Sequence, residues 1–184
     1  DNMETAAAEK IERRKSKPVR AGTLVIGGNA AVSVQSMTNL PIENVAGTIK
    51  QIQDLASKGA DLVRVALRNE EAIAPLKKIL KHTPIPLCAD IHFNYRLALG
   101  AIDAGIHKIR INPGNIGSED RVKQVVSAAK SAEIPIRIGV NGGSVDLKKY
   151  KTVSPDTLVA SAMEHVYILE DNNFEDIVVS IKSS

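Results

Sequence analysis

Short aliphatic and β-branched runs alternate with longer stretches whose apolar residues recur at helical spacing, and the two periods trade places along most of the chain. The pattern predicts strands over 32–35, 62–67, 86–91, 108–111, 136–140 and 177–181, with helices over 45–57, 70–81, 95–104, 118–131 and 155–171 between them. In the first helix Ile49, Ile52, Leu55 and Ala56 form the apolar stripe. Gly59 and Gly105 fall just past helix ends, where a left-handed backbone is wanted. Ser118 precedes Glu119 and Asp120, and Ser154 precedes Pro155; both read as helix starts. Upstream, 19–26 is a short apolar alternation around Gly22, expected as an extra hairpin at the floor of the sheet.

Strict alternation of strand and helix predicts a parallel sheet with right-handed crossovers. The strand parities then separate two architectures. An open sheet covered by helices on both faces is apolar on both. Here one parity is apolar (Val63, Val65, Leu67; Leu87, Ala89, Ile91; Ile109, Ile111; Ile136, Ile138, Val140; Ile177, Val179, Ile181). The other is polar: Arg64, Ala66, Arg68; Cys88, Asp90, His92; Lys108, Arg110, Asn112; Arg137, Gly139, Asn141; Val178, Ser180, Lys182, Ser184. The first strand splits less cleanly, with Gln35 and Met37 alternating with Val34 and Ser36. A barrel accommodates both sets, apolar toward the helices and polar toward the lumen. The fold class is therefore α/β, a (β/α)8 TIM-type barrel truncated after its sixth strand, since a closed barrel needs eight strands and about 250 residues. Residues 1–17 read as a polar N-terminal extension and 18–184 as the partial barrel.

Arg64, His92, Arg110, Arg137 and Lys182 are expected to converge in that lumen, with Asp90 as the opposing acid. Each uncompensated buried ion costs several kcal/mol, so the cluster calls for water access or an anionic ligand. Arginine forks bind phosphate oxygens bidentately, which points to a small di- or polyphosphorylated molecule. Two Gly-rich loops, 112–117 and 141–144, each follow an Arg-bearing strand and are expected to turn backbone N–H groups toward the anion. His92 is expected to be oriented by Asp90, on the same face. Lys108, one layer deeper than Arg110, reads as a structural partner for Asp90 or Asp61. His82, His107 and His165 read as structural, Cys88 as a small core residue, and the basic run from Arg13 to Lys17 as a solvated face.

Composition narrows the function classes. Aromatic residues are 3% of the chain and Trp is absent, which argues against a base-stacking nucleic-acid surface. A net charge of +3 is too small to indicate nucleic acid by itself. One cysteine excludes an internal disulfide framework and any site built from several thiolates of this chain. No apolar run approaches the ~20 residues of a membrane span. The polar start does not read as a signal peptide, so the expected location is the cell interior.

Several stretches together carry a family likeness. They are Val34-Gln35-Ser36-Met37-Thr38-Asn39, Ala89-Asp90-Ile91-His92-Phe93, the long run from Lys108 through Asn112-Pro113-Gly114 to Gly117, Ile134-Pro135-Ile136-Arg137-Ile138-Gly139-Val140-Asn141, and Ser180-Ile181-Lys182-Ser183-Ser184. From about Arg14 to Ser184 the chain resembles the N-terminal barrel region of the 4-hydroxy-3-methylbut-2-en-1-yl diphosphate synthases. The resemblance implies an enzyme of the non-mevalonate isoprenoid pathway that opens 2-C-methyl-D-erythritol 2,4-cyclodiphosphate reductively and removes water. It implies ferredoxin or flavodoxin as electron donor and a 4Fe-4S cluster, held by three Cys and one Glu of a separate C-terminal domain absent from this chain. It also implies a head-to-tail homodimer of the full-length protein.

By the same resemblance Arg64, His92, Arg110, Arg137, Asn141 and Lys182 are substrate-binding positions, and Asp90 and Asn112 join them. Leu40-Pro41-Ile42-Glu43 departs from the family's polar first loop, and Cys88 stands where an aliphatic residue is usual. The expectation is that this chain binds no cluster and is inactive alone. Lacking two strands, it would expose unpaired edges at its first and sixth strands. Three alternatives stand beside this reading: a Schiff-base aldolase using Lys182, a non-catalytic diphosphate-binding fragment, and a pterin-binding synthase barrel.

Overall fold

The computed structural model describes residue 12 and residues 14–183. Most of the N-terminal extension, including Arg13, and the last residue, Ser184, lie outside that range. The hairpin read at the start of the chain forms: β1 (Val19–Ala21) pairs antiparallel with β2 (Leu24–Ile26). The remaining strands are β3 (Gln35–Met37), β4 (Leu62–Ala66), β5 (Leu87–Asp90), β6 (Lys108–Arg110), β7 (Ile136–Asn141) and β8 (Ile177–Lys182). They lie in one parallel sheet in chain order. The intervening helices are α1 (Val45–Ser57), α2 (Ile73–Leu80), α3 (Tyr95–Asp103), α4 (Glu119–Ser131), a short α5 (Leu147–Tyr150) and α6 (Pro155–Asp171). The sheet curls into most of a barrel with the helices outside it.

Differences from the pattern are local. The first sheet strand is Gln35–Met37, not 32–35, because Asp61 accepts the Val34 N–H at 2.7 Å and ties that residue down before the ladder starts. The second helix opens as a 3-10 turn over Glu70–Ala72 before becoming α-helical. The turn α5 carries too few apolar residues to register as a periodic segment. Ser118 stands at the start of α4 without bonding its hydroxyl to the helix, whereas Ser154 and Thr157 form a full capping box at the start of α6. Gly59 (φ +98°) and Gly105 (φ +92°) take the left-handed geometry that lets α1 and α3 end and turn back to the sheet.

The apolar parity builds the core. Val63, Val65, Leu67, Leu87, Ala89, Ile91, Ile109, Ile111, Ile136 and Ile138 are all buried against the helices. On β8 the same parity is uncovered: Val179 and Ile181 are 46% and 44% exposed. A second, smaller cluster plugs the barrel floor. There Ala21, Leu62 and Cys88 are buried, with Leu24 and Ile26 of the hairpin packed on them. This plug leaves the carboxyl ends of the strands as the polar, accessible end.

Two histidines outside the lumen knit loops to this frame. His107 Nδ1 accepts the Leu87 N–H at 3.0 Å, and His165 Nδ1 accepts the Gly114 N–H at 3.1 Å. Both bonds require an unprotonated Nδ1. Burial lowers both pKa values from 6.5; for His165 Glu164 opposes this and Arg110 reinforces it. A depressed histidine pKa means the unfolded chain binds more protons below pH 6.5. Stability is therefore expected to be full above about pH 6.5 and to fall as the pH drops toward the folded values. Urea midpoints at pH 7.5 and 5.5 check this: the His107→Gln/His165→Gln double variant is expected to lose less between the two than the wild type.

Candidate functional site

The strand register stacks the lumen side chains in rungs. Met37, Arg64, Cys88 and Lys108 are ladder partners in one rung; Ala66, Asp90, Arg110, Arg137 and Val178 follow in the next. Gly139 pairs with Ser180, and Asn141 with Lys182, above them. The upper rungs enclose a cavity of about 290 Å³ lined by Arg64, Asp90, His92, Arg110, Arg137, Asn141, Ser180 and Lys182. Seven of the eight residues expected at the site thus meet around one space; the eighth, Asn112, lines an adjoining cavity of about 470 Å³ shared with His92, Arg110 and Asn141.

Asp90 organises the cluster. Its carboxylate lies 3.1 Å from Arg110 Nη1 and 3.4 Å from Arg64 Nε, and its side chain is only 10% exposed. Arg110 also donates from Nη2 to the Gly139 carbonyl at 2.8 Å, so its fork is fixed at both ends. Arg64 Nη2 points at Met37 Sδ, 3.3 Å away. Arg137 donates to Ser180 Oγ at 2.8 Å, while its Nη1 is buried without a hydrogen-bond partner. Burial holds the Arg137 pKa below its ordinary value; Arg64 and Arg110 push the same way, against the Cys88 thiol and Asp90. Lys182 is exposed at the rim. Among the described residues one carboxylate therefore faces Arg64, Arg110, Arg137 and Lys182. That imbalance in a half-buried space is what an anion with several charged oxygens would resolve.

Three expectations are corrected. His92 is not held by Asp90, whose oxygens are taken by the arginines. Arg110 Nη1 approaches His92 Nδ1 at 3.4 Å instead. Because a guanidinium only donates, a hydrogen bond at that contact is accepted by Nδ1, which leaves Nε2 as the ring's donor. Lys108 pairs with neither Asp90 nor Asp61; it is 3% exposed and, among the described residues, has no acid within salt-bridge distance.

The Gly-rich loops offer fewer free amides than expected. Gly114, Asn115 and Ile116 donate to His165, Asn112 and Pro113. Gly143 donates to Asn141 Oδ1, whose backbone N–H donates to Ser144 Oγ. The side chain of Asn112 is also engaged: it donates to the Gly139 carbonyl at 2.9 Å and accepts the Gly139 N–H at 3.0 Å. It therefore ties β6 to β7 and holds the peptide that Arg110 grips.

Sequence reasoning passed over the parts played by Met37, Gly139 and Ser180, although Gly139 and Ser180 stand on the polar parity. It also passed over a cavity of about 520 Å³ beside the site, where Arg68 and Asn69 face the loop from Thr38 to Glu43. Arg68 shares its parity with Arg64, and that was the available signal. Among the described residues no group of three or more His, Cys, Asp or Glu side chains is placed to hold a metal, and no helix is long and apolar enough to cross a membrane. Cys88 is fully buried in the floor, and burial pushes its thiol up to about 11. A protonated, enclosed thiol is no cluster ligand, so this chain's residues do not fit an iron–sulfur cluster.

Fold and site together define an α/β-barrel protein whose cationic side chains meet at the carboxyl ends of its strands. The chain belongs to the GcpE TIM-barrel domain family, whose model matches residues 16–184. It is 51% identical over 177 residues to the 4-hydroxy-3-methylbut-2-en-1-yl diphosphate synthase (flavodoxin) of Hyphomonas neptunium, covering 95% of this chain and 47% of that protein. The enzyme of the same name from Listeria monocytogenes is 52% identical over 179 residues, covering 96% and 49%. The chain thus spans about half the length of the curated relatives it matches.

Solved structures agree on the fold alone. Dihydropteroate synthase from Stenotrophomonas maltophilia superposes with a TM-score of 0.65 at 16% identity, over 89% of this chain and 64% of that one. A phospho-2-dehydro-3-deoxyheptonate aldolase from Thermotoga maritima gives 0.59 at 12% identity, over 90% and 45%.

Proposed function

We propose that this chain is the substrate-holding barrel of an enzyme that converts 2-C-methyl-D-erythritol 2,4-cyclodiphosphate to 4-hydroxy-3-methylbut-2-enyl diphosphate, with flavodoxin as electron donor. The observation that carries the reading is the convergence of Arg64, Arg110, Arg137 and Lys182 on one cavity with Asp90 as the acid within it. The names of relatives at about half identity supply the reaction. Arg110 and Arg137 would grip phosphate oxygens, Lys182 would close on them from the rim, and His92 would donate from Nε2. Asp90 acts through the arginines: it sets where Arg64 and Arg110 stand. In this reading the 4Fe-4S cluster that supplies the electrons takes its ligands from outside this chain.

The aldolase alternative fits less well. A Schiff-base lysine is activated by desolvation, and Lys182 is exposed. The deciding experiment uses the complete protein with the cyclic diphosphate and reduced flavodoxin. Product is expected from the wild type and a loss of about 100-fold or more in kcat/KM from Arg137→Met. Absence of ring opening by the intact, cluster-loaded protein, or an unchanged rate in Arg137→Met, overturns the assignment.

A further inference from the structure

The two loops that wall the cavity beside the cradle are both fastened to α6, by adjacent residues. His165 accepts the Gly114 N–H on Nδ1 at 3.1 Å, in the loop between β6 and α4. Glu164 accepts from Lys149 Nζ at 2.6 Å and from the Tyr150 hydroxyl, and so fastens α5, which continues the loop after β7. The imidazole is packed as well as bonded. A Cβ on Gly114 would lie 2.9 Å from His165 Cε1 and 3.1 Å from Nδ1, so a side chain there would push the ring away. From Gly114 the path to the cations is short. Asn115 donates its N–H to the Asn112 carbonyl at 2.9 Å, which closes the turn. The Asn112 side chain holds both polar groups of the Gly139 peptide, and the Gly139 carbonyl is where Arg110 Nη2 is fixed. β6 and β7, which carry these loops, are paired with a neighbouring strand on both sides.

We infer that His165 is a positioning residue for the cradle: by accepting the Gly114 N–H it sets the turn that carries Asn112, and through Asn112 and the Gly139 peptide it sets the Arg110 fork. The role presupposes the anion cradle proposed for Arg64, Arg110, Arg137 and Lys182. It works in one protonation state only. An imidazolium has no acceptor, and its Nδ1–H would meet the Gly114 N–H donor to donor. Burial favours the neutral ring, and Arg110 acts the same way from β6; Glu164, on α6 itself, opposes them. The loop 112–117 contributes no titratable side chain, and Lys149 and Tyr150 of α5 bond to Glu164. The form that the turn needs is thus the one its surroundings favour, and acid removes it.

The test uses the complete protein and titration calorimetry with pyrophosphate. At pH 7.5 His165→Leu, which offers no acceptor, is expected to weaken binding by about fivefold to tenfold. His165→Asn puts an amide oxygen near the place of Nδ1 and does not titrate; it is expected to bind within about twofold of the wild type. Changes in the charge of the ligand and of the rest of the site between pH 7.5 and 5.0 are common to both proteins and cancel in the comparison. Over that interval the wild type is expected to lose at least about threefold more affinity than His165→Asn, because only its ring takes up a proton and gives up the acceptor. A melting curve verifies the fold of each variant, and should His165→Leu fail to fold, the pH comparison decides. Equal pyrophosphate affinity in His165→Leu and the wild type, no rescue by His165→Asn, or equal acid losses in the wild type and His165→Asn overturns the inference and leaves the cradle standing. A wild type that binds no pyrophosphate removes the cradle, and this role with it.

Discussion

Replacing Arg110 by alanine is expected to lower pyrophosphate affinity by about 100-fold and to cost about 2 kcal/mol of stability. The guanidinium is the best-fixed cation of the site: 13% exposed, 3.1 Å from Asp90 and 2.8 Å from the Gly139 carbonyl. Preorganisation matters because an arginine already held in place loses little freedom on binding. Its removal deletes charge-assisted bonds to the ligand and also leaves Asp90 with one partner. A fully broken buried pair costs about 3–5 kcal/mol. The smaller figure applies because Arg64 still stands 3.4 Å from the other carboxylate oxygen. Arg110→Lys keeps the charge but loses the fork, and is expected to fall between wild type and Arg110→Ala. Calorimetry and urea denaturation read the two effects. Pyrophosphate affinity within threefold of wild type in Arg110→Ala would remove Arg110 from the cradle.

Gly139→Ala is expected to reach the same site without touching a charge. A Cβ at position 139 would lie 2.7 Å from Arg110 Nε and 3.0 Å from its Nη2. The Gly139 peptide cannot retreat, because Asn112 bonds both its N–H and its carbonyl. The guanidinium must therefore move and loosen its contact with Asp90. The expected result is a loss of about tenfold in pyrophosphate affinity and about 1–2 kcal/mol of stability. Gly59→Ala is the contrast. There the added Cβ meets open space but the backbone has φ +98°. A stability loss of about 1 kcal/mol is expected with pyrophosphate binding unchanged. If both variants bind pyrophosphate like the wild type, the close approach at Gly139 has no bearing on the anion.

The convergence of the cations was largely legible in the sequence because strand parity is a local property. Once Val63, Val65 and Leu67 face helices, Arg64 has only the lumen to face, and the same holds for Arg110 between Ile109 and Ile111 and for Arg137 between Ile136 and Ile138. Partner choice was not legible. Asp90 could have taken His92 or Lys108 on parity alone; the ladder register instead placed it opposite Arg110 and within reach of Arg64. Likewise the Gly-rich loops resembled free anion cradles, yet His165, arriving from α6, and the Asn141 side chain occupy two of their amides.

The alternating pattern of apolar and polar residues by itself determined the parallel strand order, the division of each sheet strand into a helix-facing and a lumen-facing side, and hence the meeting of several cations in one barrel interior. These follow from the two-residue period of a strand and the need to bury one face. Only the tertiary structure decided which cation Asp90 holds, that Asn112 serves the Gly139 peptide, and that Lys108 stays unpaired among the described residues over an apolar floor. Those outcomes depend on stagger between strands and on side chains that approach from distant helices, distances that no local pattern in the chain encodes.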